Sequence, residues 1–299
     1  MRRRELTRLV SLPPASQLAP SLTAYDDAIA AKRRQLALGF GLALVALTIA
    51  AVGAEVQPVV LWNKIGNFTS YFDRLLKLDT GMGVWTDPRE WFWGIERWAR
   101  LLAETLLIAY IATLTGVVAA FIFAAPASRN LMRHAMVSSA VRRGLEFCRS
   151  VPDIVFALIF VAAFGLGALP GVLAVAIHTS GALGKLFTEV MENIDMRPVE
   201  AVAATGGSWF AQVRFAVTPQ VLSNLVSYTL FRFEINVRGA TVIGFVGAGG
   251  IGQDLIVAIR KFYYSDVSAM LLMIIVTVIV IDMLSARLRH RLLALETSR

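Results

Sequence analysis

The sequence is poor in charge and almost lacks cysteine and histidine. Charged residues make up 17% of the 299 positions and hydrophobic residues 57%, whereas about 25% of an average soluble domain is charged. Cys148 is the single cysteine, which excludes an internal disulfide, and we expect its thiol to be buried and inert. The three histidines, His134, His178 and His290, have no spacing typical of zinc binding. A disulfide-stabilised secreted domain is therefore excluded, and no metal site is predicted.

Catalytic and nucleotide-binding motifs are also missing. A P-loop and a nucleophile elbow do not occur, so we predict no catalytic residue and no cofactor in this chain. One apparent exception is GAGGIG, where Gly247, Gly249 and Gly252 match the dinucleotide fingerprint G-x-G-x-x-G. That fingerprint needs a preceding strand and an acidic residue about 20 positions later, whereas this sequence continues with the apolar run LLMIIV. We therefore reject a dinucleotide site.

Long apolar runs are what the sequence has in abundance. Mean hydropathy is +0.64, and a helix needs about 20 mostly apolar residues to cross a bilayer. The pattern predicts an all-α, polytopic integral membrane protein with about six transmembrane helices, at residues 36–54, 101–124, 151–166, 171–187, 221–237 and 267–284. Since the third and fourth runs are short and separated only by residues 167–170, we expect a tight helical hairpin there.

Lysine and arginine predict the orientation, because they are retained on the cytoplasmic side during membrane insertion. Of the 29 such residues, 19 lie in segments 1–34, 125–150, 185–220 and 286–299, and eight lie in segments 57–100 and 239–264. This asymmetry predicts that both termini are cytoplasmic. It also accounts for the net charge of +8, so we predict no nucleic-acid partner.

The hydrophilic segments predict how the chain is divided. Residues 1–34 contain Pro13, Pro14 and Pro20 and are predicted to be a flexible cytoplasmic tail without a cleavable signal. Residues 35–100 hold the first span and an outer segment, residues 101–290 the core, and residues 291–299 a second tail.

The outer segment is rich in aromatic residues. Five of the six tryptophans lie in residues 56–100 and predict an interfacial belt. Within it, a short amphipathic helix is predicted, which would lie on the membrane, cap the bundle or contact a soluble partner. Its apolar face is formed by Phe68, Tyr71, Phe72, Leu75 and Leu76.

The segment from Glu200 to Pro219 is a soluble-looking helix-turn-helix between apolar runs. Pro198 and Glu200 suit the first turn of a helix, and Gly206 and Gly207 suit its end. Ser208 can cap a second helix. The pattern predicts a surface on which a partner docks, the alternative being a cytoplasmic loop that packs on its own bundle.

Three motifs together resemble the permeases of ABC transporters. Glu200-Ala201-Val202-x-x-x-Gly206, followed after nine residues by Ala216-x-Thr218-Pro219, is similar to their EAA loop, with departures at Val202, Ala216 and Thr218. Arg149-Ser150-Val151-Pro152 resembles the R-S-x-P start of a core permease helix. VIGFVGAGGIGQDL resembles the glycine-rich segment of phosphonate-type and methionine-type importers. Residues 178–195 and 204–222 are similar to the phosphonate and phosphite branch, and the resemblance covers about residues 100–290.

The resemblance implies a type I ABC importer permease fold in a bacterial inner membrane. A separate cytoplasmic ABC ATPase dimer would hold ATP and Mg²⁺, and a periplasmic or lipid-anchored binding protein would deliver the ligand. The permease would pair as a homodimer or a heterodimer. The resemblance implies phosphonate or a phosphite-like oxyanion as ligand; methionine, a phosphate ester and an ATPase-independent carrier are the alternatives. Within the loop at 196–220, coupling to the ATPase is assigned to Glu200, Ala201, Val202, Ala203, Gly206, Gly207 and Pro219.

Two polar groups within the predicted spans are candidates for the translocation pathway. Arg232 and Arg238 would attract an oxyanion through bidentate hydrogen bonds. Alternatively, Glu234 and Arg238 form an ion pair at i, i+4 spacing while Arg232 snorkels, and we favour this pair. The second group would either contact a ligand or hold neighbouring helices together; it comprises His178, Thr179 and Ser180.

Two further patterns predict local structure. The glycine-rich segment is expected to form a re-entrant turn or a tight helix contact near the outer face; its glycines are Gly244, Gly247, Gly249, Gly250 and Gly252. Ser150 and Asp153, on either side of Pro152, predict a capped helix start.

Overall fold

The computed structural model describes the backbone of residues 15–297, and the side chains of residues 25–60, 62–289 and 291. Within this range the chain forms helices and turns, one isolated bridge between Lys77 and Gly83, and no strand. The all-α prediction is therefore confirmed. The chain divides into two compact units, with the boundary after Ser70.

The first unit contains α1 (Ala15–Gly53) and most of α2 (Pro58–Leu75). The flexible tail predicted for residues 1–34 is wrong from Ala15 onward, because the alanine- and leucine-rich chain there continues the apolar helix backwards; residues 1–14 lie outside the described part. The candidate span within α1 is Tyr25–Gly53. The predicted amphipathic helix is confirmed in α2.

The second unit contains the remaining helices. They are α3 (Pro88–Trp91), α4 (Ile95–Ala127), α5 (Ala135–Ser150), α6 (Asp153–Phe164), α7 (Ala168–Glu192), α8 (Arg197–Ala204), α9 (Trp209–Gln212), α10 (Thr218–Ile243), α11 (Ile251–Arg260) and α12 (Tyr264–Thr297). A π-helical turn at Val213–Val217 joins α9 to α10. Residues 291–297, predicted as part of a separate tail, continue α12.

Within the described residues, four helices, α1, α4, α7 and α12, are long and apolar enough to cross a membrane, and two bent pairs raise the number to as many as six. One pair is α5 with α6, bent by 85°. The bend falls at Pro152 because proline lacks an N–H and restricts the residue before it. The third predicted span is corrected accordingly: α6 has only 12 residues, about 18 Å at 1.5 Å per residue, so it needs α5 to complete a span.

The second bent pair runs from Trp209 through α10 to α11, with a 49° bend at the glycine-rich segment. α10 begins at Thr218 and continues to Ile243, beyond the predicted limits of the fifth span. The predicted hairpin between the third and fourth spans is present as α6 and α7, joined by three residues. Gly165 and Gly167 in this connection have φ of +86° and +142°, which side chains disfavour.

α7 is the central helix of the second unit and packs against α4, α5, α6 and α10. Its largest fully buried side chains are Leu183, Phe187 and Met191. Close approach to α5 requires Gly181, where a Cβ would lie 2.6 Å from the Leu145 carbonyl oxygen. Small residues of this kind allow helix backbones to approach each other in membranes, where packing drives association.

The outer tryptophans do not form a uniform interfacial belt. Trp98 is 3% exposed and packs in a core with α11 and α12. The indole N–H groups of Trp91 and Trp93 donate to Ser268 at 2.9 Å and to Asp266 at 2.8 Å. Trp98 is therefore a core residue instead of part of the predicted interfacial belt, whereas Trp93 stays 67% exposed despite its hydrogen bond. Three of the five tryptophans thus contact the start of α12 or pack in its core.

Candidate coupling segment and membrane polar groups

The coupling segment, residues 195–220, begins with a carboxylate that fixes the start of α8. Asp195 accepts hydrogen bonds from the Arg197 backbone N–H at 3.0 Å and from its guanidinium at 3.0 and 3.2 Å. These two contacts, the backbone one first, hold the pKa of Asp195 below its ordinary value. Pro198 stands in the first turn, as predicted.

One side of α8 is fixed to the bundle and the other is exposed. Val199 is buried in the core formed by the inner ends of α4, α7 and α10. Glu200, Ala201 and Ala203 are exposed, and Val202 is half-buried. An open groove runs along this helix and combines both signs of charge, being lined by Arg129, Arg133 and Glu200 among others.

The turn after α8 depends on Gly206 and Gly207, as the sequence predicts. Gly206 has φ of +80°, and its N–H donates to the Ala203 carbonyl at 3.0 Å. The Gly207 N–H donates to the Val202 carbonyl, also at 3.0 Å. Ser208 caps α9 by accepting from the Ala211 N–H at 3.4 Å, a long bond for a cap.

Three side-chain contacts join the ends of the coupling segment to each other and the segment to the loop between α4 and α5. The Trp209 indole N–H donates to the Leu131 carbonyl at 3.0 Å. Gln220 accepts from the Asp195 backbone N–H at 3.1 Å and donates to its carbonyl at 3.2 Å. Pro219 lies in the first turn of α10, where its missing N–H costs no helical hydrogen bond. The segment is therefore held at both ends.

Glu192, the last residue of α7, joins three helices just before the coupling segment. Its carboxylate accepts from the Arg129 backbone N–H at 2.8 Å and pairs with the Arg142 guanidinium. Arg142 also donates to the Ala127 carbonyl at 2.8 Å. The ends of α4 and α7 are thus fixed to α5. Arg129 and Arg142 lie outside the motifs that the sequence analysis identified, and Glu192 lies within residues 178–195 but was not assigned a role there.

The ion pair predicted between Glu234 and Arg238 is wrong in its partners. Arg289 on α12 donates to Glu234 at 2.6 Å, and Arg238 donates to both carboxylate oxygens of Asp282, at 2.6 and 2.8 Å. Both α10 side chains therefore pair with α12 instead of with each other. The spacing along α10 could not reveal this, because the partners come from a helix more than 40 positions away.

Thr179 belongs to a buried polar cluster with Thr113 and Asn236. The Asn236 amide donates to Thr113 at 2.8 Å and to Thr179 at 3.0 Å, so α4, α7 and α10 are linked. Asn236 is 2% exposed. Thr113 and Asn236 were missed by the sequence reasoning; the signal was a polar residue within an apolar run. Thr179 is engaged in holding helices together, which is one of the two roles predicted for it.

The neighbours of Thr179 also have protein partners. His178 Nδ1 lies 3.1 Å from the Val151 carbonyl, beside the bend between α5 and α6, and Ser180 donates to the Ile177 carbonyl at 2.7 Å. The capped start predicted for α6 is only partly correct. Asp153 accepts from the neighbouring Ile154 N–H at 2.9 Å, but Ser150 ends α5 and makes no cap. Cys148 is partly buried, not fully as expected.

The glycine-rich segment forms a buried turn between α10 and α11. Gly247, Gly249 and Gly250 have φ of +86°, +84° and +76°, a region that favours glycine. The Gly167 N–H donates to the Gly247 carbonyl at 3.0 Å, and the Ile251 N–H donates to Thr105 at 2.9 Å. The segment is thus a closely packed turn, and its predicted place near the outer face stays a prediction. It follows a helix, so the strand that a dinucleotide fingerprint needs is not there.

A helical bundle with several apolar helices and an exposed helix-turn-helix is an architecture that a membrane transport permease would have. Residues 94–293 match the family described as binding-protein-dependent transport system inner membrane component. The chain belongs to this family, so it is a multi-pass inner-membrane permease subunit of an ABC importer, in which a separate subunit hydrolyses ATP.

Similar proteins support this assignment. The phosphite transport system permease protein of Stutzerimonas stutzeri is 41% identical over 198 residues, which are 66% of this chain and 72% of that protein. The phosphate-import permease protein of Mycolicibacterium smegmatis is 36% identical over 250 residues, 83% of this chain and 44% of that protein. The inward-facing methionine ABC transporter MetNI has a TM-score of 0.56 at 20% identity, covering 65% of this chain and 95% of the matched chain. This last likeness shows the fold.

Proposed function

We propose that this importer carries a small phosphorus oxyanion: phosphite, a phosphonate or phosphate. The observation that carries the proposal is the 41% identity to a phosphite permease over most of the core, supported by the 36% identity to a phosphate-import permease. The resemblance of residues 178–195 and 204–222 to the phosphonate and phosphite branch agrees with this ligand class. The methionine transporter shares 20% identity, which gives no reason to prefer methionine.

The test is uptake by the assembled transporter. The permease, its ATPase and its binding protein are reconstituted into liposomes, and ATP-dependent entry of phosphite, methylphosphonate and inorganic phosphate is measured beside entry of methionine. We expect entry of at least one phosphorus oxyanion and none of methionine. Entry of methionine alone would overturn the substrate class, and oxyanion entry without the ATPase would show an autonomous carrier.

The exposed face of α8 is proposed as the contact with the ATPase. Glu200, Ala201 and Ala203 present a small, protruding surface, while Val199 anchors the helix on the bundle. Val202, Gly206, Gly207 and Pro219 would act by holding the shape of the coupling segment. Because this segment is tied to the loop between α4 and α5 and continues into α10, movement of the ATPase would be transmitted to the membrane helices.

A charge reversal tests this contact. Glu200→Arg is expected to abolish ATP-dependent uptake without affecting membrane insertion, because it places a large cation on the proposed docking face. The matched control is Glu146→Arg, a reversal at a half-buried position of α5 outside the coupling segment, which is expected to retain uptake. Uptake at the wild-type rate by Glu200→Arg would contradict the proposal that this face of α8 contacts the ATPase.

The assembly is proposed as two copies of this chain around a two-fold axis, with two ATPases and one periplasmic or lipid-anchored binding protein. A single permease chain most simply pairs with itself, and both termini would be cytoplasmic by the charge asymmetry. Native mass spectrometry of the complex would count the copies; one copy paired with a different permease would replace the homodimer. We expect ATP and Mg²⁺ to bind the ATPase, so the isolated chain should not retain nucleotide.

A further inference from the structure

Arginines inside candidate spans differ in whether a carboxylate neutralises them. Arg238 on α10 and Arg289 on α12 each lie 2.6 Å from a carboxylate oxygen, of Asp282 and Glu234. Arg232, also on α10, has no carboxylate within the 4.0 Å of an ion pair among the residues that the structure describes. Other arginines of the candidate spans, Arg100 and Arg287 among them, also lack an ion pair in the described part of the chain but are exposed, whereas Arg232 is partly buried.

The hydrogen bond that Arg232 makes with the protein is weak. Its Nε donates to the Thr179 hydroxyl at 3.4 Å, a long hydrogen bond, and that hydroxyl already bonds to Asn236. The guanidinium is half-buried. Asp153, at the start of α6, is near enough to attract it electrostatically but too far to form an ion pair. The terminal guanidinium nitrogens therefore remain available to a ligand.

The position of Arg232 fits a ligand in passage. It lies about 21 Å from the start of α10, at 1.5 Å per residue, in a helix of 26 residues, and so near the middle of that helix. The polar groups around it come from the α5–α6 bend and from α7. His178 on α7 lies within electrostatic range of Arg232, Asp153 and Arg149. A cation without an ion-pair partner inside a membrane span costs free energy, so it marks a functional site by default.

We propose that the Arg232 guanidinium binds the phosphorus oxyanion during its passage through the permease. Guanidinium matches two oxygens of a phosphorus oxyanion in a bidentate manner, and the weak bond to Thr179 is easily given up. The nearby Asp153 carboxylate repels the anion and keeps its residence short, since a transport site must also release what it binds. The inference rests on the proposed function, because it assumes an oxyanion substrate.

The experiment compares variants of the complete transporter in proteoliposomes, with phosphite and methylphosphonate as probes. Arg232→Gln is expected to lower uptake about tenfold or more, the effect of losing one charge-assisted contact. Binding-protein-stimulated ATP hydrolysis should stay within about twofold of wild type, because the ATPase contact lies elsewhere. Arg232→Lys keeps the charge without the bidentate geometry, so it should lower uptake about threefold. The control Arg238→Gln/Asp282→Asn removes a neutralised pair and should keep uptake.

The outcomes separate this inference from the proposed function. If wild type moves neither these two probes nor inorganic phosphate, the substrate class fails. If wild type moves them and Arg232→Gln does so equally well, the Arg232 site alone is overturned. Should Arg232→Gln fail to assemble, Arg232→Lys decides: normal assembly with reduced uptake of both probes supports the site, and wild-type uptake rejects bidentate recognition there. An equal fall in uptake and ATP hydrolysis would assign Arg232 a structural role instead.

Discussion

Arg289 on α12 donates a 2.6 Å hydrogen bond to Glu234 on α10, two residues from the uncompensated Arg232. The Glu234 side chain is 9% exposed and the Arg289 side chain 31%. This pair links the last transmembrane helix to the helix that follows the coupling segment. Glu234, which neutralises Arg289, thus lies within one turn of Arg232, which has no ion-pair partner among the described residues. Structural and transport roles can therefore be tested by separate substitutions.

Removing one member of this pair should destabilise the protein. Glu234→Ala leaves the Arg289 charge unpaired, and we expect a loss of about 3 kcal/mol in the free energy of unfolding. Glu234→Leu combined with Arg289→Met should recover most of the loss, since no lone charge remains. Thermal unfolding of the detergent-solubilised protein measures both. If the double variant is as unstable as the single one, the pair contributes through packing.

A methyl group at Gly181 should separate α5 from α7. Its Cβ would lie 2.6 Å from the Leu145 carbonyl oxygen and 2.6 Å from the Arg149 N, so we expect Gly181→Ala to cost about 1–3 kcal/mol. Gly144, on α5 itself, has no atom within 4 Å of its built Cβ. Gly144→Ala should therefore stabilise by about 0.5–1 kcal/mol. Parallel melting curves test the contrast, and equal shifts would contradict the close contact.

Glu192→Gln should loosen the ends of α4, α5 and α7. The variant loses the charge on the group that Arg142 and the Arg129 N–H contact, and we expect a loss of about 1–2 kcal/mol together with slower uptake. Glu189→Gln, three residues earlier on α7, removes an exposed pair with Lys185 at 3.6 Å and should cost at most about 0.5 kcal/mol. Indistinguishable variants would show that Glu192 has no special role.

The turn at Gly206 should tolerate asparagine better than valine. Its φ is +80° and no atom lies within 4 Å of a built Cβ, so backbone conformation alone decides the outcome. Gly206→Val should cost about 1–2 kcal/mol, and Gly206→Asn less, because asparagine enters the left-handed region more readily. Hydrogen exchange of residues 197–217 and ATP-dependent uptake would report the effect. Equal exchange in both variants would remove backbone strain as the cause.

Helix ends and turns were predictable where local chemistry decides them. Pro198, Gly206 and Ser208 occupy the helix start, the left-handed turn and the cap that their side chains suit. The 85° bend at Pro152 was not predicted, although proline marked the position. A proline shows where a helix is interrupted, but the angle depends on how α5 and α6 pack against α7.

The roles of the charged residues in the spans were less predictable. Spacing along α10 favoured pairing Glu234 with Arg238, whereas α12 supplies Arg289 and Asp282 instead. An ion pair at i, i+4 spacing on one helix stabilises the protein little. A well-oriented ion pair with a facing helix stabilises it more where the dielectric constant is low. The same reasoning explains why Asn236 escaped notice: its partners, Thr113 and Thr179, come from two other helices.

The sequence by itself determined that this protein is a helical, multi-pass permease with a helix-turn-helix between its fourth and fifth spans. Apolar length, charge asymmetry and turn residues are properties of short stretches of chain, so they can be read without knowing the fold. Only the tertiary structure decided which of the charged residues on α10 pair with α12 and that, within the part of the chain that the structure describes, Arg232 does not. Such pairing depends on side chains that are distant in sequence and meet only when helices pack.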